Sequence, residues 1–335
     1  MRDITTNVCF DMRAPKWATP SDELYSAALQ MAAFADEIGV DFIGLMEHHG
    51  SEDGYLPQPF TLAGGMAAVT KNARILLCAV ILPLHDPITI AEQIAVADLM
   101  SNGRINVVFG AGYVPFEFAM FGKSLKDRAK LMDLGIDIIL RALKGEKFEF
   151  DGRPVHVRPL PVQEPENILL VGGGVAAAAK RAARFDIGFL PMNGELVDVY
   201  LDECRTRNQL PRQYFRTGLP ICIHLCEDPD IGWAAIEKQA VHVMTEYAKW
   251  AAQEGDASTS PFSGLIDPQI LRQSGLFAVW TPDDLLERLP ALPDRGGFTF
   301  QPLLGGLSPA EGWKSLQLLK DTMPRLKKAR EDAAG

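Results

Sequence analysis

The sequence has no long apolar run. Its longest apolar stretch, residues 75–84, is about half of the roughly 20 residues that a membrane-spanning helix needs. The first residues also have no apolar core of the kind found in secretory signal peptides. The sequence therefore predicts a cytoplasmic protein without a membrane segment.

Cysteine is also scarce, and basic residues are fewer than acidic ones. The chain has 5 cysteines in 335 residues, an odd number without the spacing of a disulfide framework, which suits a reducing compartment. Lysine and arginine number 33 against 43 aspartates and glutamates, for a net charge of −10. Nucleic acids and anionic membranes bind basic surfaces, so the charge argues against both as partners. The rest of the composition, 47% apolar and 23% charged, is typical of a folded protein.

Strand-like and helix-like segments alternate along the chain. The predicted strands cover residues 4–10, 41–46, 74–82, 104–109, 167–171, 187–190, 217–226 and 297–301. A predicted helix follows each strand, and the last helix covers residues 309–326. Such alternation predicts an α/β protein with a parallel sheet, and eight repeats are the number of a (β/α)8 TIM barrel, here a single domain over residues 1–335. An open doubly wound sheet is the alternative, weakened because no GxGxxG motif follows the first strand.

Two segments interrupt this alternation. Residues 146–158, after the fourth helix, have the pattern of a β-hairpin with Asp151 and Gly152 in a tight turn. Residues 251–273, before the last strand, are rich in glycine, serine, proline and aspartate. Long loops of this kind are often lids. We therefore predict a hairpin outside the main sheet and a mobile insertion.

Catalytic groups in a barrel lie at the carboxyl ends of its strands. Glu47, His48 and His49 follow the second strand, and an imidazole can transfer protons near neutral pH. Neighbouring strand residues face opposite sides, so only one of the two histidines can point into the mouth. We predict that it is His48, which shares a face with Met46. A surface or capping histidine is the alternative.

The ends of strands three, four and five have small side chains. Such residues let a flat ligand approach the backbone, and free N–H groups at a helix start attract phosphate. The candidate ligand-binding residues are Cys78, Ala79, Gly110, Ala111, Gly112, Tyr113, Gly172, Gly173, Gly174 and Val175. Ordinary strand packing and tight turns are the alternatives. No P-loop lysine follows the glycines.

We predict no metal site. Cys222, His224 and Cys226 alternate on one strand, which invites a zinc site, but the fourth ligand and the CxxC turn of such sites are missing. Buried cysteines commonly act as small apolar residues. A metal hydrolase that uses histidines His48, His49, His85 and His224 stays a remote alternative.

These strand ends, in this order, resemble the luciferase-like flavin-dependent monooxygenase superfamily over nearly the whole chain. The order and spacing of several short motifs carry the resemblance. They are residues 39–41 with 47–49, Leu82-Pro83-Leu84-His85-Asp86-Pro87, residues 101–104 with 110–112, Glu117-Phe118 with Phe121-Gly122, and residues 172–174 with 182–186.

The resemblance implies a barrel that binds reduced FMN or a deazaflavin in its mouth. The flavin ring would lie against the ends of strands three and four, and its phosphate near the loop after strand five. It also implies a non-proline cis peptide that here matches Cys78-Ala79, a place for His48 near the reactive edge of the ring, and a homodimer packed through the second and third helices.

Two positions depart from the family pattern. Ala111 stands where some members have a phosphate-binding arginine, and Gly174 and Val175 stand where many have serine or threonine. The phosphate would then rest on backbone N–H groups and the helix dipole. Weak flavin binding would fit an enzyme that receives reduced flavin from a separate reductase.

The resemblance implies a flavoprotein oxidoreductase, a flavin-dependent monooxygenase. Reduced FMN would react with dioxygen, and the resulting peroxide adduct would oxygenate a small organic substrate. A deazaflavin-dependent oxidoreductase that transfers hydride is the alternative, and a non-catalytic flavin-binding protein is a remote one. The substrate itself is not predicted. Met46, Leu56, Phe116 and Met192 are candidate pocket residues, and core packing is the alternative for each.

Overall fold

The computed structural model describes residues 3–253 and 266–334. Its strands are β1 (Thr5–Phe10), β2 (Phe42–Leu45), β3 (Arg74–Ile81), β4 (Ile105–Gly110), β5 (Phe148–Phe150), β6 (Arg153–Val155), β7 (Leu169–Gly173), β8 (Gly188–Pro191), β9 (Cys222–Leu225), β10 (Phe277–Trp280) and β11 (Gly297–Phe300). Nine of them form one sheet in the order β10-β9-β11-β1-β2-β3-β4-β7-β8, and all pairings in it are parallel.

Helices follow most of these strands. They are α1 (Ser21–Ile38), α2 (Pro59–Val69), α3 (Pro87–Ser101), α4 (Pro115–Met120), α5 (Arg128–Leu143), α6 (Pro165–Ile168), α7 (Ala176–Arg184), α8 (Leu196–Thr206), α9 (Pro229–Gln253), α10 (Pro268–Ser274), α11 (Pro282–Arg288) and α12 (Pro309–Ala334). Asp86 caps α3 as its sequence position suggests, because its side chain accepts hydrogen bonds from the N–H groups of Ile88 and Thr89. Among the described helices, none has the length and apolar character to cross a bilayer.

The strands contribute to several apolar cores. Phe42, Leu76, Val108 and Leu170, on four neighbouring strands, pack together inside the sheet. The residues that alternate with them pack against the helices in the larger core, as the two-residue period of a strand requires. An inner core and an outer layer of helices are the arrangement of a (β/α)8 barrel.

The segment between α8 and β9 links β8, at one end of the sheet, to the residues that precede β11. The N–H of Phe189 on β8 donates to the carbonyl of Gln213, and the N–H of Phe215 donates to the carbonyl of Phe189. The N–H of Arg216 then donates to the carbonyl of Arg295, just before β11. These bonds connect the β8 side of the barrel to its β11 side.

The prediction of eight strands in the main sheet was wrong by one. The ninth strand is β10, which pairs along its whole length with β9. Its short apolar run follows a glycine- and serine-rich stretch and directly precedes the capping residue Thr281, so the sequence offers little to separate it from a loop. The predicted seventh strand is also shorter, because β9 begins only at Cys222.

The two predicted interruptions had different outcomes. The hairpin is present as β5 and β6, and Asp151 and Gly152 in its turn both have positive φ, 51° and 68°. The predicted mobile insertion is partly helical, since α9 continues to Gln253 and α10 covers Pro268–Ser274. Residues 254–265 of that prediction lie outside the described residues.

Candidate active site

His48 lies at the carboxyl end of β2 and is held by a buried carboxylate. Its side-chain Nδ1 is 2.8 Å from Oε1 of Glu117 on α4, and the same oxygen accepts the backbone N–H of His49 at 2.8 Å. An ionised carboxylate can only accept hydrogen bonds, so Nδ1 of His48 carries the proton. In the neutral ring Nε2 is then an acceptor, available to a reacting group.

Four aromatic side chains surround the His48 ring, and we call them the aromatic cluster (Tyr55, Tyr113, Tyr247 and Trp250). Trp250 stacks on the imidazole at a centroid distance of 4.3 Å, while Tyr55, Tyr113 and Tyr247 meet it edge-on at 4.8, 5.8 and 6.2 Å. His48 is consequently only 8% exposed. Trp250 thus covers one face of the His48 ring.

His49 points away from this cluster, as strand alternation predicts. Its Nε2 is 2.7 Å from Oε1 of Glu47, and Nε2 of His85 is 2.5 Å from the same oxygen. The other oxygen of Glu47 accepts the N–H of Ile81 at 2.9 Å, which ties the end of β2 to the end of β3. Burial raises the pKa of Glu47, but the hydrogen bonds from His49 and His85 outweigh it and bring the pKa down to about 2.

Glu47, His49 and His85 are also the one group in the described part of the chain whose ligand atoms lie close enough to share a metal ion. Each of the two imidazoles already has a hydrogen-bond partner in the carboxylate of Glu47 without a metal. Cys222, His224 and Cys226 do not form such a group among the described residues. Burial lowers the pKa of His224 to about 4 and raises that of Cys222 to about 12, as expected for residues of an apolar core.

The end of β3 forms a platform of small side chains beside the end of β4. The peptide bond Cys78-Ala79 is cis, as the family resemblance predicts. Cys78, Ala79 and residues 110–113 are all half-buried, and a Cβ added at Gly110 would lie 3.1 Å from the Cβ of Ala79. Burial raises the pKa of Cys78 to about 11, so its thiol stays protonated at neutral pH.

The glycines after β7 form a second open surface, which we call the glycine corner (Gly172, Gly173, Gly174 and Val175). Gly172 and Gly173 are half-buried, while Gly174 and Val175 are exposed. The corner leads into α7, whose first turn has no side-chain cap. The N–H of Ala178 donates to the carbonyl of Val175, and no side chain of the N-cap accepts from the N–H groups of the first turn.

The four predicted pocket residues differ in burial and in surroundings. Met46 is half-buried near His48 and accepts a hydrogen bond from the Tyr55 hydroxyl at 3.0 Å. Leu56 is only 1% exposed and belongs to the core, where its carbonyl accepts the N–H of His48 at 3.1 Å. Phe116 and Met192 are 54% and 59% exposed, on α4 and beside Gly174.

Two surface cavities lie away from this site, at the opposite end of the barrel. One of about 570 Å³ is lined by residues such as Asn167 and Asp186, which precede β7 and β8. The other, of about 430 Å³, is lined by Thr5 and Phe42 at the starts of β1 and β2, and Arg295 borders both cavities. The site at the carboxyl ends is instead identified by its buried polar network.

Sequence reasoning missed Glu117 as the partner of His48, Arg13 after β1, and the aromatic residues of α9. Arg13 and the acidic Asp11 directly follow the first strand and could have drawn attention to this position, because function in barrels lies at strand ends. Tyr247 and Trp250 left no local signal, since they lie on a long helix far along the chain.

Residues 8–289 match the sequence profile of the family described as luciferase-like monooxygenase. The chain belongs to this family. The resemblance drawn from the strand ends is therefore confirmed. Among curated relatives, the alkanal monooxygenase alpha chain of Photorhabdus luminescens is 25% identical over 140 residues, which are 42% of this chain and 39% of the relative. The match thus spans about two fifths of the length of that relative.

Solved structures of luciferase-like enzymes share the fold over almost the full chain. The oxygenating constituent of 3,6-diketocamphane monooxygenase from Pseudomonas putida, in complex with FMN, superposes with a TM-score of 0.72 at 19% identity, covering 96% of this chain and 98% of that one. An F420-dependent secondary alcohol dehydrogenase superposes with a TM-score of 0.68 at 15% identity, covering 96% and 99%. These similarities confirm the (β/α)8 barrel.

Proposed function

We propose that this luciferase-like protein is a flavin-dependent monooxygenase, which uses reduced FMN and dioxygen to oxygenate a small organic substrate. The observation that carries the proposal is the buried pair of His48 and Glu117 at the end of β2. This pair leaves Nε2 of the imidazole able to hold or release a proton, at the mouth of a barrel whose family uses flavins. Family membership supports the general class of oxidoreductase.

The residues of the mouth fit a flavin. A side chain at Gly110 would crowd Ala79, and one at Gly172 would lie 2.9 Å from the Val108 side chain, so glycine at both positions keeps the surface flat for a planar ring. The N–H groups of the glycine corner and of α7 are suited to a phosphate. When bound, a reduced flavin supplies the electrons that dioxygen needs to react with an organic molecule.

The side chains around this surface have separate tasks. His48 holds or moves a proton at Nε2, and Glu117 fixes the tautomer and the orientation of the ring, as a carboxylate does for a catalytic histidine. The aromatic cluster keeps water away from His48, which matters because water intercepts reactive intermediates. Met46 contributes to the apolar wall through its contact with Tyr55.

The grip on the phosphate would be weak, which supports supply of reduced flavin by a separate reductase. Ala111 and Gly174 stand where a cationic or hydroxyl side chain would strengthen binding. Backbone N–H groups and a helix dipole remain, and the dipole is worth only about 0.3–1 kcal/mol at an exposed site. A flavin that exchanges readily is what an enzyme served by a reductase requires.

A deazaflavin-dependent hydride transfer on the same barrel is the second candidate. The fold similarity to an F420-dependent secondary alcohol dehydrogenase supports it. The two candidates differ in their need for dioxygen, which the monooxygenase consumes and the dehydrogenase does not. A non-catalytic flavin-binding protein, the third, would bind flavin without turnover.

We also propose that two copies of the chain associate through α2 and α3. Apolar side chains on these two helices are exposed to solvent, and they are Val69, Val96, Leu99 and Met100. A patch of this kind on neighbouring helices is typical of an interface. Light scattering should give twice the monomer mass, and a Val96→Glu variant should give the monomer. A wild-type monomer at micromolar concentration would refute the proposal.

The proposed function is tested by oxygen uptake with a panel of small organic substrates. Chemically reduced FMN is supplied to the purified protein in buffer containing isotopically labelled dioxygen, and products are examined by mass spectrometry. The proposal predicts a product that contains one labelled oxygen atom. Labelled hydrogen peroxide as the sole oxygen product across the panel would contradict it.

A further inference from the structure

Arg13 is a fully buried arginine at the mouth of the barrel. It follows β1 at its carboxyl end, the same end at which His48 follows β2, and it is 0% exposed. A buried guanidinium normally has acceptors for all of its N–H groups. Arg13 does not, and two of its donors are left without an acceptor among the described residues.

The contacts of Arg13 leave two of its nitrogen atoms unsatisfied. Nη1 donates to Oδ2 of Asp53, and the backbone N–H donates to Oδ1 of Asp11 at 3.1 Å. Nε lies 3.8 Å from Oδ2 of Asp11, beyond hydrogen-bond distance. Nε and Nη2 are buried and have no hydrogen-bond partner in the described ranges of the chain. The mouth thus holds donors that can serve an incoming acceptor.

Arg13 and His48 contact the same three aromatic rings. The guanidinium carbon lies 4.3 Å from the centre of the Tyr55 ring, 5.0 Å from that of Trp250 and 5.2 Å from that of Tyr247. These three rings belong to the aromatic cluster that also surrounds His48. An acceptor bound by Arg13 would therefore lie against the aromatic cluster.

The charges around Arg13 favour a neutral acceptor over an anion. Burial raises the pKa of Asp53, but hydrogen bonds from His242 and the charge of Arg13 outweigh it and keep the pKa below its ordinary value. Burial raises the pKa of Asp11 to about 6, so this carboxyl is still mostly ionised above pH 7. Two carboxylates already offset the positive charge of Arg13. An additional anion would gain little there.

We propose that Arg13 binds the carbonyl oxygen of a neutral substrate through Nε and Nη2, and that the aromatic cluster contacts the apolar remainder of that substrate. This assignment rests on the proposed function, since it names the substrate class of the same site. Tyr247 and Trp250, near the end of α9, cover both Arg13 and His48. Because Arg13 is fully buried, a substrate would have to move these two rings aside to reach it.

The test compares ligands that differ only in the acceptor. Acetophenone, its carbon isostere α-methylstyrene and the anion benzoate are titrated calorimetrically into the protein, with and without oxidised FMN. We expect the ketone to bind at least tenfold more tightly than either of the others, because a hydrogen bond from a charged donor accounts for a factor of about ten or more. Equal binding of ketone and isostere, absence of ketone binding, or tighter binding of benzoate would overturn the proposal.

Variants of Arg13 separate recognition from a structural role. Arg13→Met should abolish the preference for the ketone while changing the affinity for α-methylstyrene less than threefold. Arg13→Lys keeps a charged donor and should retain part of the preference. If circular dichroism shows that Arg13→Met does not fold, the ligand preference of the Arg13→Lys variant tests the assignment instead. An unchanged preference in the folded variant, or equal loss of affinity for both ligands, would refute the assignment.

The outcome is independent of turnover. Discrimination by Arg13 without any flavin-dependent oxygen uptake would leave the assignment in place and refute the proposed function. Oxygenation of substrates without discrimination by Arg13 would support the proposed function and refute the assignment of Arg13.

Discussion

Nδ1 of His48 and Oε1 of Glu117 lie 2.8 Å apart although 69 residues separate them in the chain. The end of β2 supplies the imidazole and α4 supplies the carboxylate. Because the carboxylate can only accept, the hydrogen bond fixes which nitrogen of His48 carries the proton. The proposed chemistry of the site depends on this contact, and the first two predictions below follow from it.

The first prediction concerns Glu117. Glu117→Gln removes the negative charge beside Nδ1 and allows the other tautomer of His48, so kcat should fall by about tenfold to hundredfold, as is common for partners that orient a catalytic group. Steady-state kinetics with a responsive substrate measures the effect. Glu149→Gln on the exposed strand β5 is the matched control and should leave kcat unchanged. A fully active Glu117→Gln enzyme would remove the carboxylate from the mechanism.

The second prediction separates the two adjacent histidines. His48→Asn should lower coupled product formation by more than about hundredfold, since it deletes the proton-transferring group, while the thermal midpoint stays close to that of the wild type. His49→Asn should mainly lower the thermal midpoint, because it removes a hydrogen bond that the buried carboxylate of Glu47 forms with His49. Product yield and differential scanning calorimetry distinguish the two. The opposite pattern would mean that the wrong histidine has been assigned.

The third prediction tests where the flavin ring lies. Gly110→Val places a branched side chain against Ala79, and the Kd for FMN should rise at least about tenfold because the ring loses its flat surface. Gly218→Ala is the control, since nothing lies within 4 Å of a Cβ at that position. Fluorescence quenching of FMN reports both values. An equal Kd in the two variants would place the ring elsewhere.

The fourth prediction concerns stability in acid. Burial lowers the pKa of His224 to about 4 from an ordinary value of 6.5, so the unfolded chain binds this proton more readily than the folded protein does. The stability that this histidine provides is present above pH 6.5 and is lost as the pH falls towards 4, by on the order of 3 kcal/mol. His224→Leu should reduce this pH dependence of the free energy of unfolding, as measured by urea titrations over the same pH range. His156→Leu, on the exposed hairpin, should change the pH dependence far less.

Much of the fold could be predicted from the sequence, because it depends on local patterns. Alternating strands and helices indicated the barrel, and Asp151 with Gly152 indicated the hairpin. The strand β10 was missed, since four residues carry little periodicity and only their pairing with β9 reveals them. The cis bond at Cys78-Ala79 could be expected from the family resemblance alone.

The site could be predicted only in part. His48 could be chosen because its position after a strand and the alternation of side chains are both visible in the sequence. Its partner Glu117 and its covering residue Trp250 come from distant segments, and their contacts arise from packing. Arg13 directly follows the first strand, so its position could have been recognised in the sequence. Its unsatisfied donors, however, are a property of the folded structure.

The most direct test of the central claim is an anaerobic titration of the protein with reduced FMN and with reduced deazaflavin F420, followed by mixing with aerated buffer. The account predicts that FMN binds at least tenfold more tightly than F420, that Gly110→Val weakens this binding, and that oxygen is consumed on mixing. Tighter binding of F420 without oxygen consumption, or no binding of either cofactor, would contradict it.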